Sequence, residues 1–483
     1  MNRNEELKQQ AYSAVKKQSS TVRLDPYFPA YHLAPPAGLL NDPNGWIQWK
    51  GIYHLFFQWM PFDTAHGAKF WGHFSSENLT DWTLEPIALT PSDWFDKNGC
   101  YSGSAIGSDD KLTLFYTGNV KNEQNQRESY QCVAESTDGR TFEKKGVKVE
   151  LPEGFTAHFR DPKVWQHKDN WYMVIGAQTK EETGSVAFLE SNDLEKWTYR
   201  GILSHANQEP FHDFGYMWEC PDLFELGGKD ILLFSPQGIA SDGIQYNNEY
   251  QSGYAIGKLN YDSAQFTHED FVELDRGFEF YAPQTTLDDK GRRILVGWMG
   301  VPDQNEFKQP TVKEGWLHQM TLPRELKLID GTIFQIPLEE MKELRTTQTI
   351  KESGKQQHTA SISRASEVQV DGKIQKLTLF DNMTLQFNEQ SKLLTLERPS
   401  YADGQTERRS CLLPNGLYSL QLFIDHSSVE IFVNQGEAVF TSRMFADEGV
   451  STLFAEGYEE LQITAWTLRN DAVNMKNEYS AEG

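Results

Sequence analysis

Between residues 40 and 335 the apolar positions fall in short runs that alternate with polar ones or fill strand-length stretches, and Gly, Asp and Asn punctuate them throughout. Helical spacing is almost absent there. Gly45–Trp49, a turn at Lys50-Gly51 and Ile52–Gln58 predict strand, tight turn and strand. The same grammar returns four times. Ser102-Gly103-Ser104 precedes Leu112–Tyr116, and Arg160-Asp161-Pro162 precedes Trp171–Ile175. Glu219-Cys220-Pro221-Asp222 precedes Ile231–Phe234, and Tyr281-Ala282-Pro283 precedes Ile294–Trp298. From Asp42 through Ser102, Asp161 and Glu219 to Tyr281 the steps are 60, 59, 58 and 62 residues. Leu79-Thr80-Asp81-Trp82 and Leu194-Glu195-Lys196-Trp197 mark the same period. Units of short strands that cannot bury both faces alone predict a five-bladed β-propeller.

The flanks read differently. Met1–Lys17 has a polar helical pattern with Leu7, Ala11 and Val15 on one stripe, so residues 1–30 are expected as an N-terminal helical extension. The propeller is expected over 31–336. A linker over 337–352 carries a short helix at Leu338–Leu344 and runs into the polar stretch Thr346–Ser363. Residues 353–483 predict a β-sandwich, with strands at Leu377–Phe387, Leu393–Arg398, Leu417–Ile424, Val429–Val433 and Leu461–Thr467. The fold class is all-β, and packing against the propeller is preferred to a lectin role for the sandwich.

The repeat gives meaning to three acids. Pro43 and Asn44-Gly45 place Asp42 where a loop hands over to a strand, alone an ordinary turn. As blade equivalents, Asp42, Asp161 and Glu219 converge on one channel mouth, where their mutual repulsion is better explained by chemistry than by structure. Arg160 beside Asp161 is expected to hold it ionised, and Glu219 between Trp218 and Cys220 is expected against an apolar wall. Ser102 lacks a nucleophile elbow and is read as a hydrogen-bonding group.

Composition narrows the classes. With 45 basic and 69 acidic residues in 483, the net charge of −24 argues against nucleic acid and anionic membranes. Aromatic residues make up 13%, which suits sugar handling. Cys100, Cys132, Cys220 and Cys411 show neither disulfide density nor metal spacing and read as reduced thiols. His32 and His54 lack ligand partners at metal spacing, so no metal is assigned. Residues 1–23 lack an apolar core and no run is long enough to span a bilayer, so a cytoplasmic protein is expected.

Asn41-Asp42-Pro43-Asn44-Gly45, Arg160-Asp161-Pro162 and Glu219-Cys220 resemble the three signature motifs of glycoside hydrolase family 32, the invertase and fructanase family. Phe57-Gln58, Trp71-Gly72-His73, Tyr101-Ser102-Gly103-Ser104 and Gly297-Trp298-Met299 also match, and Asp425–Asn434 resembles the family's sandwich motif. Phe70–His73 and Phe214–Asp222 look most like bacterial members acting on sucrose 6-phosphate. The resemblance implies a retaining β-fructofuranosidase for sucrose, its 6-phosphate or short fructo-oligosaccharides, without cofactor, with a fructosyltransferase as the alternative. It implies Asp42 as nucleophile, Glu219 as acid and base, and Asp161 as the grip on fructose hydroxyls. Substrate-binding roles would fall to Asn41, Gln58, Trp71, Tyr101, Ser102, Arg160, Tyr281 and Trp298. A dianionic substrate also requires a rim cation, for which Lys69, His66 and Lys163 are candidates by proximity. Monomer and homodimer both remain open.

Overall fold

The computed structural model describes residues 2–475 except 448 and 450. Residues 38–337 form five antiparallel-based sheets in chain order. Each begins with the strand named by its motif: Gly38–Trp49, Cys100–Gly107, Phe155–His167, Met217–Leu226 and Tyr281–Leu287. These first strands touch in a closed ring, the first against the second and onward until the fifth meets the first. The sheets are therefore arranged radially, as a β-propeller. The first sheet also takes the short parallel strands Trp316–Leu317 and Val473–Asn474 on its two edges.

All five first strands carry a β-bulge at the corresponding place. Against their partners the register slips by one residue between Leu40 and Pro43, Tyr101 and Gly103, Arg160 and Lys163, Glu219 and Asp222, and Tyr281 and Gln284. A bulge turns the strand and re-aims a side chain that regular alternation would send into the blade. The 58-to-62-residue period of the sequence is thus the spacing of five bulges. Asp161, Cys220 and Ala282 sit there with φ of 69°, 48° and 49°, a strained conformation for residues with a Cβ.

The N-terminal helix α1 spans Arg3–Leu24, two turns beyond the expected pattern. Asn2 caps it by accepting the Glu5 N–H through Oδ1 at 2.9 Å. Leu7, Ala11, Val15 and Val22 are buried against the first sheet's core.

After a short 3₁₀ turn at Glu339–Leu344, the stretch expected as a polar linker is the long strand Arg345–Ser361. It pairs along its whole length with Thr452–Leu468. Its side chains are nearly all exposed, so no alternation marks it; backbone hydrogen bonds hold it, and its charges protect an edge. Leu377–Phe387, expected as one strand, is a hairpin turning at Phe380-Asp381, both with φ of 52°. The ten-stranded sheet folds on itself into a sandwich. Thr452–Leu468 enters both layers, pairing with Ile374–Leu379 through one half and Ser366–Asp371 through the other.

The sandwich is locked to the propeller through buried charge. Asp425 accepts the backbone N–H groups of Ala30, Tyr31 and His32 and contacts His32 Nδ1 at 2.8 Å. Glu430 meets His32 Nε2 at 2.9 Å and accepts from Arg324 Nε and Nη2 at 2.9 and 2.5 Å. Arg324 also reaches Asp275 at 3.0 Å, with both side chains inaccessible. The Asp425–Asn434 stretch is therefore an interdomain clamp. Desolvated charges are tolerated here because each is paired and hydrogen-bonded.

Candidate active site

The bulges bring Asp42, Asp161 and Glu219 to one place at the channel mouth. Asp42 Oδ2 accepts from Ser102 Oγ at 2.5 Å and from Gln58 Nε2 at 3.2 Å, while Asn41 Nδ2 donates to Oδ1 at 3.2 Å. Gln58 in turn donates to Ser102 at 2.5 Å, and Asn41 donates to Gln58. Asp42 is thus held in one rotamer by neutral donors whose positions are themselves fixed. Burial pushes its carboxyl above the usual range and the Glu219 charge adds to this, while the Ser102 and Asn41 hydrogen bonds and the Lys69 charge oppose.

Cys220 lies between two of the acids. Its backbone N–H donates to Asp161 Oδ2 at 3.0 Å, and its Sγ stands 3.6 Å from that oxygen and 3.8 Å from Asp42 Oδ2. The thiol is therefore more than the packing neighbour expected, and burial pushes it well up, so it stays protonated beside two carboxylates. Asp161 is held on its other side by Thr117 Oγ1, which accepts its N–H at 3.0 Å.

The expected Arg160–Asp161 pairing is not what forms. Arg160 directs Nε and Nη2 to Glu219 Oε1, at 2.8 and 2.6 Å. The bulge turns the two neighbouring side chains apart, which sequence adjacency conceals. Burial pushes Asp161 up to about 7; the Arg160 charge opposes this, and the Glu219 and Asp42 charges add to it. The apolar wall expected at Glu219 is also absent. Trp218 points to the opposite face and donates to Phe214 O. Glu219 Oε2 instead accepts from Tyr281 OH at 2.7 Å and Gln237 Nε2 at 2.8 Å.

The aromatic candidates divide. Tyr101 is half-buried with the Arg127 guanidinium 6.0 Å from its ring centroid, and Tyr281 reaches Glu219 through its hydroxyl. Trp71 is fully buried among Phe56 and Tyr116, with its indole N–H on the Tyr101 carbonyl, so it supports the strand rather than offering a face to sugar. Trp298, also buried, stands edge-on to Tyr281 and His318 behind the pocket.

All three cation candidates already have partners: Lys163 is committed elsewhere, and Lys69 and His66 bond each other. Lys163 is partly buried, donating to Asp222 Oδ2 at 3.0 Å and Thr285 O at 2.7 Å. Lys69 is buried and donates to His66 Nδ1 at 3.0 Å; burial pushes it down to about 7 against the charges of Asp42 and Glu306. His66 spends its other nitrogen on Glu306 at 3.1 Å. His32 lies in the interdomain clamp, and His54 is hydrogen-bonded to His73 at 3.0 Å in the core.

Gln237, Thr117 and His158 were not legible as site residues. Gln237 follows the apolar run Ile231–Phe234 much as Gln58 ends its own, the one pattern that could have marked it. His158 Nδ1 meets Arg160 Nη1 at 2.9 Å, a contact that follows from their spacing of two on the strand Phe155–His167.

A radial β-fold whose channel mouth gathers two buffered carboxyls and an Arg-clamped third defines the class as a glycoside hydrolase. The chain belongs to glycosyl hydrolase family 32: residues 32–337 match the Glycosyl hydrolases family 32 N-terminal domain and 338–467 the family's C-terminal domain. It is 48% identical over 477 residues to a sucrose-6-phosphate hydrolase of Bacillus subtilis (strain 168), covering 96% of this chain and 99% of that protein. A Salmonella typhimurium sucrose-6-phosphate hydrolase is 45% identical, covering 89% and 91%. Among solved structures, a Lactobacillus gasseri sucrose-6-phosphate hydrolase matches with a TM-score of 0.88 at 31% identity, covering 96% and 99%. A Bombyx mori beta-fructofuranosidase matches at 0.87 and 36%, covering 97% and 99%.

Proposed function

We propose that the protein is a retaining β-fructofuranosidase that hydrolyses sucrose 6-phosphate and sucrose. The observation that carries this is the division of labour between the two carboxyls. Asp42 is fixed by neutral donors with an oxygen available for attack, whereas Glu219 is gripped by Arg160 and a tyrosine hydroxyl. Asp42 attacks the anomeric carbon of the fructosyl unit as the bond to the leaving oxygen breaks, and Glu219 gives that oxygen its proton. Water then attacks the fructosyl–Asp42 ester, losing its proton to Glu219 and releasing fructose with retained configuration. Asp161 holds fructose hydroxyls, and Asn41, Gln58, Ser102, Arg160, Tyr101 and Tyr281 bind substrate or position the acids. The names of the Bacillus and Salmonella relatives support sucrose 6-phosphate as substrate.

The five radial sheets are read as five blades, with the catalytic unit over 31–336, a helical extension before it, a short junction at 337–344 and the sandwich from Arg345 onward. Four buried free cysteines support a reducing compartment, the cytoplasm. No helix among the described residues is long and apolar enough to cross a membrane. The test is an assay of glucose, glucose 6-phosphate and fructose release from sucrose 6-phosphate, sucrose and a short fructan. Release of fructose from none of them overturns the reading, and fructo-oligosaccharide as the dominant product replaces it with a transferase.

A further inference from the structure

One pair of cations beside the site stands directly opposite each other across two strands. Arg127 opens the third strand of the second sheet, directly opposite Lys121 on the neighbouring strand. Side chains opposite one another leave the sheet on the same face, and like charges in that relation repel. Among the described residues, neither side chain makes an ion pair. Lys121 is exposed and Arg127 half-buried.

Arg127 is nevertheless held in place. Its guanidinium lies 6.0 Å from the Tyr101 ring centroid, and its Nη1 is 3.3 Å from His158 Nδ1. The same Nδ1 meets Arg160 Nη1 at 2.9 Å, and Arg160 grips Glu219. A nitrogen facing two guanidinium groups must accept from both, so the imidazole is neutral with its proton on Nε2. Burial and the two arginine charges push its pKa down to about 4, which agrees. The chain Glu219–Arg160–His158–Arg127 therefore leads outward from the acid along the seam between the second and third sheets. Lower on the same face, Thr117 and Gln131 pair and Thr117 supports Asp161.

The geometry points to Arg127 and Lys121, with His158 as the group that positions Arg127, as the site that takes the phosphate monoester of the leaving glucosyl unit. The leaving group must lie on the side of the acid that protonates it, and Arg127 and Lys121, without an ion pair among the described residues, are reached outward from Glu219 along this chain of contacts. An arginine fork presents two donors to phosphate oxygens, and Lys121 adds a flexible charge. Phosphate also relieves the repulsion between the two cations. The inference rests on the reading of the protein as a sucrose 6-phosphate hydrolase and assigns that reading's specificity to named residues.

The test compares kcat/KM for sucrose 6-phosphate and sucrose in the wild type, Arg127→Gln, Arg127→Lys and Lys121→Gln, with circular dichroism and Tm checking each fold. In Arg127→Gln the ratio of the two kcat/KM values falls by about 10- to 100-fold, carried by KM for the phosphorylated substrate. Arg127→Lys recovers part of it, and Lys121→Gln loses less. The inhibition constant of glucose 6-phosphate rises in parallel, while that of glucose rises far less. An unchanged ratio in folded Arg127→Gln, or a ratio that instead collapses in His66→Gln, overturns the assignment while leaving the function intact. If the wild type cleaves sucrose 6-phosphate no better than sucrose, the substrate reading itself fails.

Discussion

Arg160 donates twice to the same oxygen of Glu219, at 2.8 and 2.6 Å, and not to Asp161 beside it in the chain. Two donors on one oxygen fix the carboxyl plane and leave Oε2 to Tyr281 and Gln237. The position of the Glu219 carboxyl is therefore set by residues from three different sheets. Arg160→Lys keeps the charge but loses the fork, and kcat on sucrose should fall about 100-fold, since small misplacement of a reacting group has effects of that size. Steady-state kinetics checks this; a KM effect alone would place Arg160 in ground-state binding.

The roles proposed for Asp42 and Glu219 should separate by leaving group. Glu219→Ala should lose most activity on sucrose, whose leaving hydroxyl needs a proton, and far less in the first step on an activated aryl fructoside. Asp42→Asn should lose on the order of 10⁴-fold on both. NMR of early wild-type product should show β-fructose. Early α-fructose, or brisk aryl fructoside cleavage by Asp42→Asn, contradicts the double displacement.

Asp161 sacrifices stability for its position. Its folded pKa of about 7 lies above the ordinary 3.8, so the folded state binds the proton more tightly than the unfolded chain does. The resulting destabilisation is absent below pH 3.8, grows as pH rises and is complete above about 7. Asp161→Asn keeps an oxygen for the Cys220 N–H and removes the charge. Its Tm at pH 8 should exceed wild type by a few degrees, on the order of 2–4 °C, and the gain should shrink toward pH 5. Calorimetry at the two pH values decides.

His32 gives the opposite sign. Burial disfavours its charge, but the hydrogen bonds and charges of Asp425 and Glu430 outweigh burial and raise the pKa to about 9. A raised histidine contributes fully below pH 6.5, and its contribution is lost as pH rises through 9. Wild type should lose stability between pH 7 and 9.5 as this proton leaves a buried site between two carboxylates. His32→Gln should be less stable at pH 6.5 and show a flatter profile to pH 9.5. Parallel profiles would mean that the clamp does not depend on that proton.

The interdomain arginine should behave as a buried charge partner. Arg324→Met takes the guanidinium from both Asp275 and Glu430, leaving Glu430 to His32 and the Leu322 N–H and Asp275 to Thr441 and the Gly277 N–H, and a loss of about 3–5 kcal/mol is expected. Replacing Arg324, Asp275 and Glu430 together with apolar residues should recover much of it. Chemical denaturation of the single and triple variants measures both.

The sequence by itself determined the repeat, the all-β class, the sandwich and the three acids, because period-two patterning, turn residues and a near-constant spacing are local properties. It also singled out Gln58, Ser102, Arg160 and Tyr281. Only the tertiary structure decided which side chains meet. A one-residue bulge in each first strand reverses the face on which a residue emerges, so Arg160 went to Glu219, Trp218 into the core and the Cys220 thiol between two carboxylates. Trp71 and Trp298 read as sugar platforms, yet packing buries both, since aromatic identity carries no information about which face is open. The polar stretch after Leu344 became a strand because pairing with Thr452–Leu468, about a hundred residues away, satisfies its backbone, and no local pattern encodes a partner that distant.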